Sequence, residues 1–206
     1  MSNYFYSKIV NMDEQSVYNK VTEMAAAGQA EKALDECREA MKMVVSAYER
    51  RDLYLDGLLD GARIVNHASR ICCEKLEKIP YLGEVITCTV EDDVHQNGRL
   101  MAVSVLRAYG FHTNDLGGEI PPAQIIEALK QTEGAVLALS GLVSSCIDSM
   151  KRTIQEVRGA GLDPVIIVCG GLACAHLREY CGAQYYAQLI PDTIRICCEN
   201  CKPVVL

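Results

Sequence analysis

From Glu84 onward, short β-branched runs alternate with helical stretches, and this alternation limits the possible folds more than any other feature of the chain. The predicted strands are Glu84–Val90, His112–Leu116, Ala135–Ser140, Val165–Cys169 and Tyr185–Tyr186. The predicted helices are Arg99–Tyr109, Pro122–Lys130, Cys146–Arg158, Ala173–Tyr180 and Ile190–Cys198. Strands that alternate with helices form parallel sheets joined by right-handed crossovers. The sequence therefore predicts an α/β domain with a doubly wound sheet of five parallel strands.

The N-terminal part has a different period. Apolar residues recur at helical spacing in three stripes, which run from Val17 to Ala25, from Leu34 to Tyr48 and from Leu58 to Cys72. Pro80 prevents the last helix from continuing. We therefore predict three helices within residues 13–77, packed as a small antiparallel bundle. The predicted domains are a helical domain, residues 1–80, and a flavodoxin-like (Rossmann-like) domain, residues 81–206.

Composition excludes several classes of function. The net charge of -7 argues against a nucleic-acid groove, which needs clustered Lys and Arg. No apolar run is long enough to span a membrane, and the N-terminus lacks the pattern of a signal peptide. These features predict a cytoplasmic protein with no membrane partner. In that compartment the eleven cysteines are expected to be reduced and mostly buried.

Three strand exits carry the candidate site. In the flavodoxin-like order the strand order reverses between the first and third strands, and ligands bind at the carboxyl ends there. The first strand leads into Asp93–Gly98, the third ends at Ser140–Leu142 and the fourth at Gly170–Gly171. Small residues at these exits predict an open slot. His95 is a candidate metal ligand, with Asp93 on its second ring nitrogen. Without a Walker loop or a GxGxxG motif, a nucleotide cofactor is poorly supported.

These motifs resemble the three-part signature of base-off cobalamin-binding domains. The matching residues are Asp93-x-His95-x-x-Gly98, then Ser140-x-Leu142, then Gly170-Gly171. Further similarity lies in Ala108-Tyr109-Gly110-Phe111, Asp115-Leu116-Gly117, Pro121-Pro122 and, in the helical part, Tyr48-Glu49-Arg50 and Tyr54-Leu55. With helices in front, nearly the whole chain is similar to the small corrinoid proteins of methylamine, methanol and methoxyaromatic methyltransferase systems.

The resemblance implies a cofactor and a role for each motif. His95 would replace the dimethylbenzimidazole of cobalamin as the lower cobalt ligand, and Asp93 would hold its other ring nitrogen. Ser140 and Leu142 would line the pocket for the displaced base, while Gly170 and Gly171 would let the nucleotide tail pass close to the backbone. Gly98 belongs to the histidine motif. The helical domain would cap the face that carries the methyl group.

The resemblance also implies partners and leaves alternatives. The protein would be a non-catalytic carrier between a substrate:corrinoid methyltransferase and a second methyltransferase acting on tetrahydrofolate or a thiol, with a reductive activator. Alternatives are a cobalamin-dependent sensor or regulator and the small subunit of an adenosylcobalamin mutase. A phosphoacceptor receiver domain would need an acceptor Asp at the end of the third strand and a Lys at the end of the fifth. The chain has neither. Cys198-x-x-Cys201, with Cys197 beside it, has the spacing of half a zinc site. A complete site needs four ligands. The second pair could be Cys72-Cys73, but nothing predicts that this part of the third helix lies nearby.

The chain departs from the family pattern at several positions. Asp92 stands where the family has Gly, Gln96 where it has Asp, and Arg99-Leu100 where it has Lys-Asn. Cys146 replaces the Ser or Thr that continues the hydrogen-bond chain from histidine and aspartate, and Ser144 or Ser145 could substitute. The second helix also runs straight on, without the usual loop.

Overall fold

The computed structural model describes residues 2–132 and 134–206. The described chain divides into two compact units. One comprises the residues up to Pro80 together with Ser104–Gly110 and Val205–Leu206, and the other comprises Tyr81–Val103 and Phe111–Val204. None of the helices in the described ranges combines the length and the apolar character that a membrane span needs.

The described residues 2–80 contain four helices where the sequence predicted three: α1 (Ser2–Val10), α2 (Glu14–Ala26), α3 (Ala30–Glu49) and α4 (Leu55–Cys73). The prediction missed α1, which packs through Phe5 and Ile9. Both are almost fully buried. A Cβ at Gly61 in α4 would lie 3.1 Å from Val44 of α3 and 3.3 Å from Ile9 of α1. This glycine therefore lets the three helices pack closely.

The other elements follow in chain order. They are β1 (Pro80–Tyr81), β2 (Glu84–Val90), α5 (Asn97–Tyr109), β3 (His112–Ile120), α6 (Pro122–Gln131), β4 (Val136–Ser140), α7 (Ile147–Gly159), β5 (Val165–Cys169), α8 (Ala175–Cys181), β6 (Tyr185–Ala187), α9 (Ile190–Asn200) and β7 (Val204–Val205). A 3-10 turn, Ser144–Cys146, precedes α7. The short strands β1 and β7, which were not predicted, form a separate two-stranded sheet.

The main sheet has the predicted five strands. Their order is β3-β2-β4-β5-β6, and every neighbouring pair is parallel. The predicted flavodoxin-like order is thus confirmed, with the reversal between β2 and β4. The ladder runs Thr89↔Ser140↔Cys169↔Ala187 across four strands, so their carboxyl ends lie level at one edge. In β2 and β4 almost every side chain is buried, as expected of a parallel sheet covered on both faces.

Strand β3 is irregular where it borders the site. It extends to Ile120, whereas the prediction ended it at Leu116. The pairing shifts after Thr87↔Asp115, to Cys88↔Gly117, and shifts again before Val90↔Ile120. The extra residues form bulges, which redirect side chains at the edges of sheets and beside functional sites. The glycines are therefore accommodated inside the strand.

All eleven cysteines lie in the described ranges and carry thiols without disulfides. Burial raises the pKa of the Cys88 thiol to about 12, whereas Cys198 is exposed. Because the thiolate is the nucleophile, we expect an alkylating reagent at mildly alkaline pH to modify Cys198 at least about a hundredfold faster than Cys88. Mass spectrometry of the native protein would measure the two rates, and unfolded protein is the control. Equal rates at the two positions would contradict the packing described here.

Candidate functional site

His95 and Asp93 form a hydrogen-bonded pair on the loop between β2 and α5. The Asp93 Oδ1 atom lies 2.7 Å from His95 Nδ1 and accepts the His95 backbone N–H at 2.8 Å. The Asp93 side chain is fully buried, whereas 49% of the His95 side chain is exposed. A carboxylate acceptor on Nδ1 places the proton there and leaves the lone pair on Nε2. The exposed nitrogen of this imidazole is thus prepared to bind a metal.

The other oxygen of Asp93 joins two strand exits. Asp93 Oδ2 accepts a hydrogen bond from the backbone N–H of Leu142, which follows β4. Burial alone would raise the pKa of the Asp93 carboxyl. The N–H groups of Leu142 and His95 and the imidazole outweigh burial, so the pKa lies below its ordinary value. Asp93 is therefore an anion that holds two loops together as well as orienting His95.

Replacing Asp93 with asparagine tests this role in the apo protein. An amide offers a single acceptor oxygen and directs its NH2 group at a donor, so we expect a loss of about 2 kcal/mol of unfolding free energy at pH 7. The folded-state pKa of Asp93 is depressed below its unfolded value near 3.8. The carboxylate therefore stabilises the fold above that value, and this contribution is lost as pH falls through the folded pKa.

Denaturant unfolding at neutral and acidic pH measures the difference between wild type and Asp93→Asn. This difference in unfolding free energy should be smaller at acidic pH than at neutral pH. A deficit that stays constant from pH 7 to pH 3 would show that the Asp93 charge does not contribute as described.

The tips of β4 and β5 touch through glycines. A Cβ at Gly170 would lie 2.3 Å from the carbonyl oxygen of Gly141, and the φ of Gly170 is +116°. A Cβ at Gly141 would lie 2.4 Å from Met150 Cε and 2.5 Å from Cys146 Sγ. Gly170 was singled out in the sequence as a site residue. Gly141 was noted only as part of the strand exit, and its packing role depends on neighbours that are distant in sequence.

The remaining predicted site residues lie at the same edge. Ser140 pairs with Thr89 and Cys169 at the end of the ladder. A Cβ at Gly171 would lie 3.2 Å from Leu142 Cδ1, so the Leu142 side chain rests against that glycine. Gly98, in the first turn of α5, has open space: apart from its chain neighbours and the backbone of its own helix, no heavy atom of the described residues lies within 4 Å of its Cβ position. No packing contact within the described chain therefore requires a glycine at this position.

Three large apolar side chains are exposed in these loops. They are Val94 (65%), Leu142 (47%) and, in the first turn of α5, Leu100 (49%). Val94 and Leu100 flank His95 in sequence, and Leu142 is tied to Asp93. Exposed apolar side chains that gather at one site indicate a ligand or partner surface. The loop that carries the metal-ligand candidate, the helix that follows it and the exit of β4 thus each expose an apolar side chain that a large apolar group could contact.

The positions that depart from the family pattern have partners here. Asp92 adopts a left-handed conformation (φ 68°), and its carboxylate accepts a hydrogen bond from the Ser149 hydroxyl of α7. The buried Cys146 thiol donates to the carbonyl of Val143 at 2.9 Å, and burial raises its pKa. Where the family pattern has the hydroxyl of a Ser or Thr, this chain thus has the Cys146 thiol, which is a weak hydrogen-bond donor. Ser144 and Ser145 are exposed.

One known family matches the part of the sequence that contains these strand exits. The family model described as the B12-binding domain matches residues 83–189. The chain belongs to the B12-binding domain family. Cobalamin is therefore its cofactor, as the motifs predicted. In this B12-binding domain, the three matched strand exits all fall within residues 83–189.

Relatives of this B12-binding protein span most of its length. Trimethylamine corrinoid protein 1 of Methanosarcina acetivorans is 26% identical over 194 residues, covering 90% of each chain. A dimethylamine corrinoid protein of Methanosarcina barkeri is 29% identical over 115 residues, which is 55% of this chain and 54% of that protein.

Solved structures share the fold. A cobalamin-binding protein from Desulfitobacterium hafniense DCB-2 superposes with a TM-score of 0.78 at 22% identity, covering 96% of this chain and 97% of the other. A chain of the methanol:cobalamin methyltransferase complex from Methanosarcina barkeri gives a TM-score of 0.82 at 20% identity, covering 93% of this chain and 76% of that one. The predicted fold class is thereby supported independently of the motifs.

The residues at this edge fit a corrinoid. His95 has a hydrogen-bonded Nδ1 and, among the described residues, no hydrogen-bond partner for Nε2. Gly98 has open space beside its Cβ position, and Val94, Leu100 and Leu142 add exposed apolar side chains to these loops. Elsewhere, no group of three or more His, Cys, Asp or Glu side chains in residues 2–132 and 134–206 is arranged to hold a metal ion. The donor set at His95 suits a metal whose other ligands come from its own macrocycle.

Proposed function

We propose that this chain binds cobalamin with His95 Nε2 as the lower cobalt ligand and the nucleotide base detached from the metal. The observation that carries the proposal is the pairing of a buried Asp93 carboxylate with Nδ1 while Nε2 is exposed. Such a carboxylate fixes the ring orientation and increases the basicity of the ligating nitrogen. The cofactor-binding residues are Asp93, His95, Gly98, Ser140, Leu142, Gly170 and Gly171.

The detached nucleotide tail occupies the slot between Ser140–Leu142 and Gly170–Gly171. Leu142 is half exposed and rests against Gly171. Rotation of this side chain toward solvent opens the space beside Gly171 for the tail. Gly98 leaves room for the corrinoid next to His95. In this assignment residues 81–206 form the cobalamin-binding domain, and residues 1–80 form the helical cap domain.

The proposed activity is that of a methyl carrier without substrate chemistry of its own. When bound, cobalamin supplies the metal that accepts and releases the methyl group. Relatives named as trimethylamine and dimethylamine corrinoid proteins support this assignment. The partners are a substrate:corrinoid methyltransferase, a second methyltransferase that uses tetrahydrofolate or a thiol, and a reductive activator. The chain's own residues hold the corrinoid, and the His95–Asp93 pair would take up a proton when His95 leaves the metal and release it when His95 binds.

A methyl-transfer assay tests the carrier role. Full-length chain reconstituted with isotopically methylated cobalamin is mixed with a corrinoid:tetrahydrofolate or corrinoid:thiol methyltransferase and its acceptor. We expect label to move from the protein to the acceptor, and equal amounts of free methylated cobalamin to transfer more slowly. Tight binding of adenosylcobalamin, together with no transfer of the methyl label to either acceptor, would overturn the carrier proposal in favour of a mutase subunit or a sensor.

A further inference from the structure

Arg99 is a buried cation next to the His95 loop. Its side chain is only 4% exposed, and it lies in the first turn of α5, three residues after Gln96. Three of its nitrogens have different acceptors. Nε donates to Thr89 Oγ1 at 3.2 Å, Nη1 to Asp115 Oδ1, and Nη2 to the Gln96 side chain at 3.0 Å. The guanidinium therefore connects β2, β3 and the loop that carries His95.

Asp115 is a fixed anchor for this cation. It lies where β3 first bulges away from its regular pairing with β2. Besides Arg99, its Oδ1 atom accepts the Thr87 hydroxyl at 3.2 Å and the Gly117 backbone N–H at 3.3 Å. The bulge thus directs a carboxylate at Arg99. The planar guanidinium holds its five donors in a fixed fork that suits acceptors at defined positions, whereas the lysine ammonium presents three donors on a flexible stem.

Gln96 transmits the position of Arg99 to the loop. It directly follows His95, its side chain accepts from Arg99, and its carbonyl accepts the Leu100 N–H at 3.0 Å. The same side chain lies on Gly118, where a Cβ would be only 2.5 Å from Gln96 Nε2. The residue next to His95 is therefore held from one side by Arg99 and from the other by the β3 bulge.

Stability alone does not explain this cation. Buried ion pairs are costly to desolvate, and apolar replacements are often neutral or stabilising. The first turn of a helix also disfavours positive charge, because the helix dipole is positive there. What the cation does provide is a defined geometry at the base of the loop. This points to a role at the site.

We propose that Arg99 is a positioning residue that, through Gln96, fixes the His95 loop in the orientation that binds cobalt. The inference rests on the proposed function, in which His95 is the lower ligand. Without the Arg99–Gln96 contact the loop samples other conformations, and ordering it on binding lowers the fraction of protein in which His95 is ligated.

The experiment compares four variants, together with His95→Ala, with wild type. Arg99→Met removes the cation, and Arg99→Lys retains charge without the planar fork. Gln96→Ala cuts the link but leaves the Arg99–Asp115 pair intact, so it keeps the test decisive if Arg99→Met does not fold. The matched control is Arg195→Met, which removes an exposed arginine paired with Asp192 on α9.

Two readouts are used. In the cobalamin-free chain, hydrogen exchange measures protection of the His95 amide, which is bonded to Asp93. In the cobalamin-loaded chain, the visible spectrum gives the ratio of imidazole-ligated to water-ligated cobalt. We expect this ratio to fall about tenfold in Arg99→Met and about threefold in Gln96→Ala. In Arg99→Lys the ratio should recover part of the loss. The His95 amide should exchange faster in Arg99→Met and Gln96→Ala than in wild type. Arg195→Met should match wild type in both readouts.

The outcomes separate this inference from the proposed function. If His95→Ala leaves the wild-type spectrum unchanged, the proposed function fails. If His95→Ala abolishes the imidazole signature while Gln96→Ala and Arg99→Met keep the wild-type ratio and exchange rate, only the positioning role of Arg99 is overturned. If Arg99→Met unfolds and Gln96→Ala behaves as wild type, Arg99 is structural and the inference is likewise overturned.

Discussion

Replacing His95 with alanine is expected to abolish the spectrum of imidazole-ligated cobalt completely in the cobalamin-loaded protein. The nitrogen that faces solvent is removed, and the buried Asp93 cannot reach out to replace it. Since the loss of a residue that only orients a ligand costs about 10- to 100-fold in metal affinity, loss of the ligand itself should weaken corrinoid binding by at least as much. Visible spectroscopy and equilibrium titration with cobalamin measure the two effects.

The matched control is His176→Ala. His176 is also exposed and lies in the same unit, at the start of α8. Its removal should leave both the spectrum and the affinity unchanged. Both variants should stay within about 1 kcal/mol of the wild-type unfolding free energy, because neither side chain is buried. A His95→Ala protein with the wild-type spectrum would eliminate His95 as the ligand.

Gly170→Ala is expected to destabilise the chain by about 3 kcal/mol or more, the largest stability effect of any substitution considered. The new methyl group would lie 2.3 Å from the Gly141 carbonyl oxygen, and the φ of +116° is one that alanine rarely adopts. Both partners are backbone at the ends of paired strands, so neither can move without disturbing the ladder. Denaturant unfolding of the cobalamin-free protein measures the loss.

Gly98→Ala should have the opposite profile. Apart from its chain neighbours and its own helix backbone, no heavy atom of the described residues lies within 4 Å of its Cβ position. Alanine favours a helix by about 1 kcal/mol over glycine, so the apo protein should be at least as stable as wild type. If the empty space belongs to the corrinoid, cobalamin affinity should nevertheless fall. Unchanged affinity in Gly98→Ala would show that this space is not used, and an unperturbed Gly170→Ala protein would contradict the described strand tips.

Much of the sheet domain could be predicted from sequence because its signals are local. The strands Glu84–Val90 and Val165–Cys169 are bounded as predicted, since their β-branched runs are compact and are flanked by turn residues. Where a signal was weak or misleading, the boundaries were wrong. The helix Ser2–Val10 was not predicted, and β3 continues past its predicted end at Leu116 through irregular pairing that includes Gly117.

The candidate site divides in the same way. The pairing of Asp93 with His95 follows from two residues on one loop, and the structure contains it. The hydrogen bond from Leu142 to Asp93, the contact of Gly141 with Gly170 and the Arg99–Asp115 pair join different loops and strands. Such contacts depend on strand register and on bulges, which a single sequence does not specify. The sequence shows that Arg99 departs from the family pattern, but its role could be inferred only from its three hydrogen-bond acceptors in the structure.

Electron paramagnetic resonance of the cobalt(II) form tests the central assignment most directly. The unpaired electron couples to the nucleus of the axial nitrogen, so the splitting identifies the atom bound below the metal. The protein is prepared with nitrogen-15 in its histidines and loaded with unlabelled cobalamin. We predict that the splitting changes from the nitrogen-14 to the nitrogen-15 pattern and that it disappears in His95→Ala. A splitting that keeps the nitrogen-14 pattern would mean that the cofactor's own base remains on the metal, which would contradict the account.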